Sequence, residues 1–264
     1  MKLTVLTENT TGSPHLIAEH GLSLYLETKD LRLLFDTGQT DALIANAAFL
    51  GVDLGAVDLA VLSHGHYDHG GGIAAFLQHN AKAKVYHSRH AFGEHYNAVN
   101  RYIGLNPALQ QENRLVPVGD SFALCPHMTL FSCNDAAFPE PVEPFGLQIM
   151  RQGRLQPDDF LHEQYLLIEE KGQRILISGC SHKGVCNLAA YFRPDVLIGG
   201  LHLSKLDPQA AEDAARLDAI AAKLLRLPTR YYTCHCTGEA QYAYLREKMG
   251  QRLSYLRTGD TLEL

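Results

Sequence analysis

The stretch Ser63-His64-Gly65-His66-Tyr67-Asp68-His69-Gly70-Gly71-Gly72 puts four groups able to hold a metal, His64, His66, Asp68 and His69, within six residues. It follows Leu59-Ala60-Val61-Leu62, a short apolar run that reads as a buried strand. A loop at the end of such a strand sits on a rigid scaffold, where binding chemistry is commonly placed. Imidazole and carboxylate are ligands that Zn²⁺ takes near neutral pH, and neighbouring glycines let the backbone turn tightly enough to aim them inward. The spacing divides the work. His64 and His66 can reach one ion, while Asp68 and His69, one turn later, can reach a second. A merely polar loop has no reason to gather so many ligands.

Outward from this loop, the first third alternates strand-like and helix-like patterns. Residues 2–7 (KLTVLT), 22–27 (LSLYLE) and 31–36 (LRLLFD) are short and apolar, and Thr28, Lys29 and Asp30 turn the last two into a hairpin. Leu43, Ala47 and Leu50 recur at helical spacing before Gly51, which suits a left-handed helix end, and Ile73, Phe76 and Leu77 give a second helical face stopping near Asn80. Residues 88–160 hold most of the prolines and keep no period, so they read as an irregular elaborated region over the site. Regular pattern resumes at 165–180 and 195–203, then in a helix near 208–226 with Asp207 as N-cap and Pro208 in its first turn, and in a strand at 230–236 (RYYTCHC). Residues 23–38 and 165–179 both read as strand, charged turn, strand, Gly. That echo suggests two similar β-rich halves packed as two sheets with helices outside.

Composition narrows the partners. The chain has 264 residues, 46% hydrophobic and 20% charged, close to a globular average, and no linker divides residues 1–264 into separate domains. A net charge of −6 has the wrong sign for phosphate neutralisation, so a small-molecule substrate is expected and nucleic acid is not. No apolar stretch reaches the roughly 18 residues of a membrane span, and Glu8 interrupts the start before a secretory core could form, so the expected location is cytoplasmic, away from membranes. The six cysteines, at 125, 133, 180, 186, 234 and 236, are scattered through the chain and are expected to be reduced thiols.

Two further clusters carry chemistry. Ser178-Gly179-Cys180-Ser181-His182 ends a strand, and if the chain stays extended Cys180 and His182 point to the same side, so either could be a ligand. In Cys234-His235-Cys236, alternation along a strand would turn His235 opposite to the two cysteines, leaving them as packed thiols. His202, in Gly199-Gly200-Leu201-His202-Leu203, ends another strand and could serve as a proton donor or a substrate hydrogen bond.

The HxHxDH pattern of His64, His66, Asp68 and His69, with LLFDTG at 33–38, resembles the metallo-β-lactamase-fold superfamily. That resemblance implies an α/β fold, an αββα sandwich, with the metal site at one edge of the two sheets and Asp36 supporting the metal loop. It implies His235 as the last metal histidine. It also leads to an expected bridging carboxylate after Gly179, where this chain has Cys180 instead. His182 is preferred as the ligand there, because a bridging thiolate is an unusual replacement for a hard carboxylate. The mid-chain histidine of the superfamily has no clear counterpart, and Asp159 and His162 are both candidates. One or two zinc ions are implied, with manganese or iron as alternatives.

A narrower resemblance, through Glu19-His20-Gly21-Leu22-Ser23, GCSHKG (179–184), GGLHL (199–203) and HCTG (235–238), is to the subgroup of metal-dependent hydrolases that includes the archaeal dihydropterin-ribofuranosylaminobenzene 5′-phosphate synthases. Two activities follow as expectations. In a hydrolase, water activated at the metal attacks a small ester, amide or phosphoester, with Asp68 at the centre and His202 or His20 as proton donor. In a C–N transferase, a dihydropterin pyrophosphate stacks against Tyr86, Phe92, Tyr96 and Tyr102 beside Arg89 and Arg101. A third possibility is a non-catalytic metal-dependent sensor in which Cys180 and Cys186 respond to oxidation.

Overall fold

The computed structural model describes residues 1–264. One sheet runs in the order β17 (Thr261–Glu263), β1 (Lys2–Thr7), β2 (Ser23–Glu27), β3 (Arg32–Phe35), β4 (Leu59–Val61), β5 (Lys84–Ser88), β7 (Leu115–Val118). A second runs β16 (Leu253–Tyr255), β15 (Arg230–Thr233), β14 (Val196–Gly199), β13 (Gln173–Ser178), β12 (Tyr165–Glu170), β9 (Met128–Phe131), β8 (Ser121–Cys125). Both repeat one pattern. From β1 to β7 the pairings are antiparallel twice and then parallel three times, and the same series runs from β9 through β12, β13, β14 and β15 to β16. The hairpins β2–β3 and β12–β13, which carry the sequence echo, occupy matching places in the two sheets.

Side-chain alternation builds the layers, because successive residues of a strand face opposite sides. Leu24, Leu26, Leu33 and Phe35 point inward onto Leu166, Ile168, Ile175, Ile177, Val196 and Ile198 of the other sheet. Their neighbours Tyr25 and Leu34 point outward, where they meet residues of α1 (Ala42–Leu50) and α3 (Ile73–His79) in one cluster. Leu167, Leu176 and Leu197 likewise face α4 (Val185–Phe192), α5 (Ala211–Leu225) and α6 (Glu239–Met249). The result is helix, sheet, sheet, helix. Gly51 ends α1 in the left-handed conformation, as its position predicts.

Three sequence expectations need correction. Residues 88–160 are not irregular throughout: β7, β8 and β9 complete the two main sheets, and only β6 (His95–Tyr96), β10 (Gln148–Arg151) and β11 (Arg154–Pro157) form a separate three-stranded addition. Their short lengths and interrupting prolines hide the two-residue period. The helix expected from 208 begins at Ala211, because Asp207 Oδ1 accepts from the Gln209 backbone and makes a turn instead of a cap. The strand expected to 236 stops at Thr233, and His235–Thr237 form one 3₁₀ turn.

Every parallel connection leaves its strand at the same edge of the sandwich. Asp36 follows β3, the His-rich loop follows β4, Cys180 follows β13, His202 follows β14 and His235 follows β15. The His-rich loop contains α2 (Tyr67–Gly70) and lies pressed onto its neighbours. A Cβ on Gly65 would stand 2.0 Å from the Ala91 carbonyl oxygen, and one on Gly71 would stand 2.1 Å from that of Gln39. No other residue fits at either position.

Candidate metal centre

Asp36, fully buried, organises the His-rich loop. Its Oδ1 accepts from the Ser63 backbone N–H at 2.6 Å, and its Oδ2 accepts from Ser63 Oγ and from His69 Nδ1, each at 2.7 Å. Since the Ser63 hydroxyl proton goes to the carboxylate, Ser63 Oγ is left to accept from His64 Nδ1, 2.8 Å away. Asn9 Oδ1 accepts from His235 Nδ1 at 2.8 Å, and Glu8 Oε2 accepts the His235 backbone N–H at 2.8 Å. In His64, His69 and His235 alike, Nδ1 therefore carries the proton and Nε2 presents its lone pair inward.

Those lone pairs meet. His69 Nε2 lies 3.1 Å from His235 Nε2 and 3.2 Å from Cys180 Sγ, and His64 Nε2 lies 3.3 Å from His182 Nε2. Asp68 Oδ2 is 3.4 Å from His235 Nε2 and 3.8 Å from His69 Nε2. Facing lone pairs repel unless a cation lies between them. The donor set and its spacing fit a metal, whose Zn–N bonds of about 2.0–2.1 Å would set ligand nitrogens roughly this far apart. Three buried groups emerge, His64 with His66 and His182, His64 with His69 and Cys180, and Cys180 with His235 and Cys236, and a fourth of His20, Asp68 and His235 opens to solvent. All six metal-ligand candidates of the sequence, His64, His66, Asp68, His69, His182 and His235, are thus brought together at one edge.

Other sequence expectations shift. Ser181 takes a left-handed φ of 58°, so the chain is not extended there: Cys180 turns to His69 and Cys236, while His182 turns to His64 and stacks on Phe160 at 4.5 Å. Cys236 is not on the opposite side from His235, because the 3₁₀ turn replaces strand alternation; Cys234 alone is packed in the core between the sheets. Asp36, His202 and His235 share the left-handed backbone of Ser181, with φ of 60°, 52° and 51°. Such strain in non-glycine residues concentrates where surrounding structure fixes a functional geometry.

Of the two mid-chain candidates, Asp159 is held in a two-pronged ion pair with Arg151, both distances 2.7 Å, outside the cluster. His162 is inside, but its Nδ1 accepts from the Gly65 backbone at 2.9 Å, which leaves Nε2 protonated and turned to Asp158 at 3.4 Å. The residues missed from sequence are His95 and Asp158, which join His66 and His162 in a further buried group. Neither lies in a periodic or motif-bearing segment. Asn9 and Ser63 were also overlooked, although each lies two residues past the end of a strand. His20 sits at the mouth, 3.3 Å from Asp68 Oδ2, and His202 packs on the His182 ring at 4.2 Å.

Burial is the largest influence on His64, His66, His69, His162, His182, His202 and His235. It holds His64, His66 and His182 well below the ordinary imidazole value, assisted by His69, His162 and His202 respectively, and brings His162, His202 and His235 down to about 4. In His69 burial is outweighed by Asp36 and Asp68, which raise it; in Asp68 burial is outweighed by His69, His20 and His235, which hold the carboxyl well below its usual range. For the metal-free protein the sign follows. Below about pH 6.5 the unfolded chain takes up protons that the folded histidines refuse, so stability is full above that pH and falls as it drops towards 4. His69 works in the opposite sense, its contribution being present below about 6.5 and lost on rising through its folded value. The urea midpoint of chelator-treated protein is therefore expected to fall markedly from pH 7 to pH 4.5; an unchanged midpoint would mean that the histidines are not buried and neutral.

Beside His182 and His202 opens a cleft of about 810 Å³, including its mouth. Val185, Leu201, Leu203 and Ile220 supply apolar wall, and Phe145 lies across from His202 with ring centres 5.5 Å apart. Arg216 and Lys223 border it but are ion-paired to Glu143 and Glu140. The aromatic residues proposed from sequence for a pterin do not form one wall: Tyr86 packs with Phe122, Phe92 with His87, and Tyr96 with Tyr102. All six cysteines are free thiols, and no helix is long and apolar enough to cross a membrane.

Comparison with known proteins agrees with this architecture. The profile of the Metallo-beta-lactamase superfamily matches residues 17–235. The crystal structure of Tm1679, described as a metal-dependent hydrolase of the beta-lactamase superfamily, superposes with a TM-score of 0.80 at 26% identity, covering 100% of this chain and 99% of that one. The 7,8-dihydropterin-6-methyl-4-(beta-D-ribofuranosyl)-aminobenzene-5′-phosphate synthase of Methanocaldococcus jannaschii is 25% identical, over 100% of this chain and 96% of its own length. Zn²⁺-bound PqqB from Methylobacterium extorquens shares the fold, with a TM-score of 0.58 at 13% identity and full coverage of both chains. With its paired sheets, its HxHxDH loop and a matching profile over most of its length, the chain belongs to the metallo-β-lactamase superfamily.

Proposed function

We propose that this protein is a zinc-dependent hydrolase of a small ester, amide or phosphoester. The observation that carries the reading is the convergence of Nε2 lone pairs from His64, His69 and His235 beside Asp68, each with Nδ1 tied to a separate acceptor. His64, His66 and His182 would hold one ion, and Asp68, His69 and His235 another, with Cys180 beside both groups. Zinc, when bound, supplies Lewis acidity that makes water nucleophilic near neutral pH.

The rest is the work of the chain. Asn9 donates to His20 Nδ1, so His20 directs its Nε2 proton at Asp68 and, half-exposed at the mouth, can exchange protons with solvent. His202, neutral at pH 7 because of its burial, serves as a hydrogen-bonding group for the leaving atom and not as a charged acid. The apolar cleft takes the non-reacting part of the substrate, and its neutralised rim favours an uncharged group there. The full-length similarity to the pterin synthase favours C–N transfer as a second reading; the dispersal of the proposed aromatic wall counts against it.

The test is zinc content together with turnover of a panel of chromogenic esters, anilides and phosphodiesters. Chelation is expected to abolish hydrolysis and zinc to restore it. Metal-loaded protein inert on the panel, but coupling a dihydropterin pyrophosphate to an aryl amine, would replace the hydrolase reading with the transferase.

A further inference from the structure

The chain enters β12 through His162, Glu163, Gln164 and Tyr165, each at most 1% exposed although every one carries a polar group. Their side chains alternate between two faces, as along a strand. His162 and Gln164 turn to the loop after β4. His162 Nδ1 accepts the Gly65 backbone N–H at 2.9 Å, the Gln164 backbone N–H donates to the Ser63 carbonyl at 2.8 Å, and Gln164 Nε2 donates to the Leu62 carbonyl at 2.8 Å. Glu163 and Tyr165 turn to the loop after β13. Glu163 Oε1 accepts the His182 backbone N–H at 2.8 Å, and its Oε2 accepts the Lys183 backbone N–H at 3.1 Å and the Tyr165 hydroxyl. One short stretch therefore holds the backbone on both sides of His64 and the backbone of His182, the two residues whose Nε2 atoms face each other at 3.3 Å.

The carboxylate has a task within this stretch. Ser181 has a left-handed φ of 58°, a conformation that a non-glycine residue keeps only where its surroundings fix it. The next two backbone N–H groups, of His182 and Lys183, converge on Glu163, and successive N–H groups turned to one point make a concavity for an anion. Both can only donate, so an acceptor must stand there. The buried negative charge is offset within the protein. Lys183, 3% exposed, gives its three ammonium protons to the Ser132 carbonyl, Asn134 Oδ1 and the carbonyl of Glu163 itself, at 2.7, 2.7 and 3.3 Å.

We propose that Glu163 is a positioning residue for His182: it holds the turn from Ser181 to Lys183 at a fixed distance from the loop after β4, so that a ligand from one half of the sandwich meets ligands from the other. This rests on His182 being a ligand, as in the function proposed above. Apolar contact between the two sheets is non-directional and does not fix the spacing of two loops, whereas hydrogen bonds from one stretch to both loops do. Groups that orient ligands in this way alter metal affinity by about 10–100-fold when removed.

The experiment measures stepwise zinc affinity by competition with a chromophoric chelator, for the full chain and for Glu163→Asp and Lys183→Met, alongside the urea midpoint of each. Glu163→Asp keeps the negative charge but draws the carboxylate back by one methylene from the His182 N–H. It is expected to weaken one zinc equivalent about 10–100-fold and to leave the other unchanged. Lys183→Met leaves the carboxylate in place and strands its charge, so it is expected to lower the urea midpoint with little change in either zinc affinity. Affinity that is unchanged in Glu163→Asp, that falls equally for both equivalents, or that follows the urea midpoint through both variants overturns the proposal, because Glu163 would then do no more than stabilise the fold. Amide hydrogen exchange of the metal-free wild-type protein needs no variant to fold. It is expected to show the His182 and Lys183 N–H groups strongly protected, and rapid exchange at either overturns the proposal. Wild-type protein that binds no zinc overturns the hydrolase reading together with this one, whereas unchanged affinity in Glu163→Asp overturns this one alone.

Discussion

Asp68→Ala is expected to lower hydrolysis by about three powers of ten and to reduce zinc content by up to one equivalent, with the fold intact. Several kcal/mol of transition-state stabilisation come from a catalytic metal, and each 1.36 kcal/mol is tenfold in rate, which sets that size. Asp68 is the only carboxylate that faces both His69 and His235, and it also receives His20. Its removal leaves one group of imidazoles without the charge that balances a divalent ion. The fold should survive because Asp68 stands on the short α2 at the open edge and holds none of the sheet together; its backbone carbonyl, which accepts from Leu22 N–H, is unaffected by the change. Metal analysis and kcat/KM on whichever chromogenic substrate is turned over are the measurements. Full activity in the variant would remove Asp68 from the mechanism.

Asp36→Ala is expected to damage stability before it damages chemistry. Three donors, the Ser63 backbone N–H, Ser63 Oγ and His69 Nδ1, converge on this fully buried carboxylate. Removing one partner of a buried, charged hydrogen-bond set costs about 3–5 kcal/mol, because the groups left behind cannot reach water. Asp36→Asn should do little better, since its amide group would meet donors where an acceptor is required. The unfolding midpoint in denaturant should fall with little change in slope, the sign of lost stability and not of altered compactness. A loss below about 1 kcal/mol would show that the loop is held by other contacts. Where Asp36→Asn folds, zinc affinity should fall too, as His69 loses the acceptor that fixes its Nε2 lone pair inward.

Local chemistry made much of this molecule readable from its sequence. The strands from β1 to β4 and from β12 to β15 announced themselves because each is a short apolar run closed by a turn, and the HxHxDH loop because ligand density at a strand end is hard to explain otherwise. The hairpin echo marked two sheet halves with the same order of pairings. What escaped depended on contacts distant in the chain. Asp158 and His95 are 63 residues apart, and only the pairing of β10 with β6 and β11 brings them together. Asn9 reaches His235 across 226 residues. The alternation rule failed at Cys234–Cys236 because the strand gives way to a 3₁₀ turn, for which the local sequence carries no cap or proline signal. Cys180 and His182 parted for a related reason, the left-handed turn at Ser181.

The central claim is that the inward lone pairs of His69 and His235, with Asp68, exist to hold a cation. Crystals grown with zinc and measured across the zinc absorption edge test it directly. The account predicts an anomalous peak about 2.1 Å from both Nε2 atoms, beside the Asp68 carboxylate. An empty gap between those two rings in zinc-saturated crystals, or zinc held only at other residues, would contradict it.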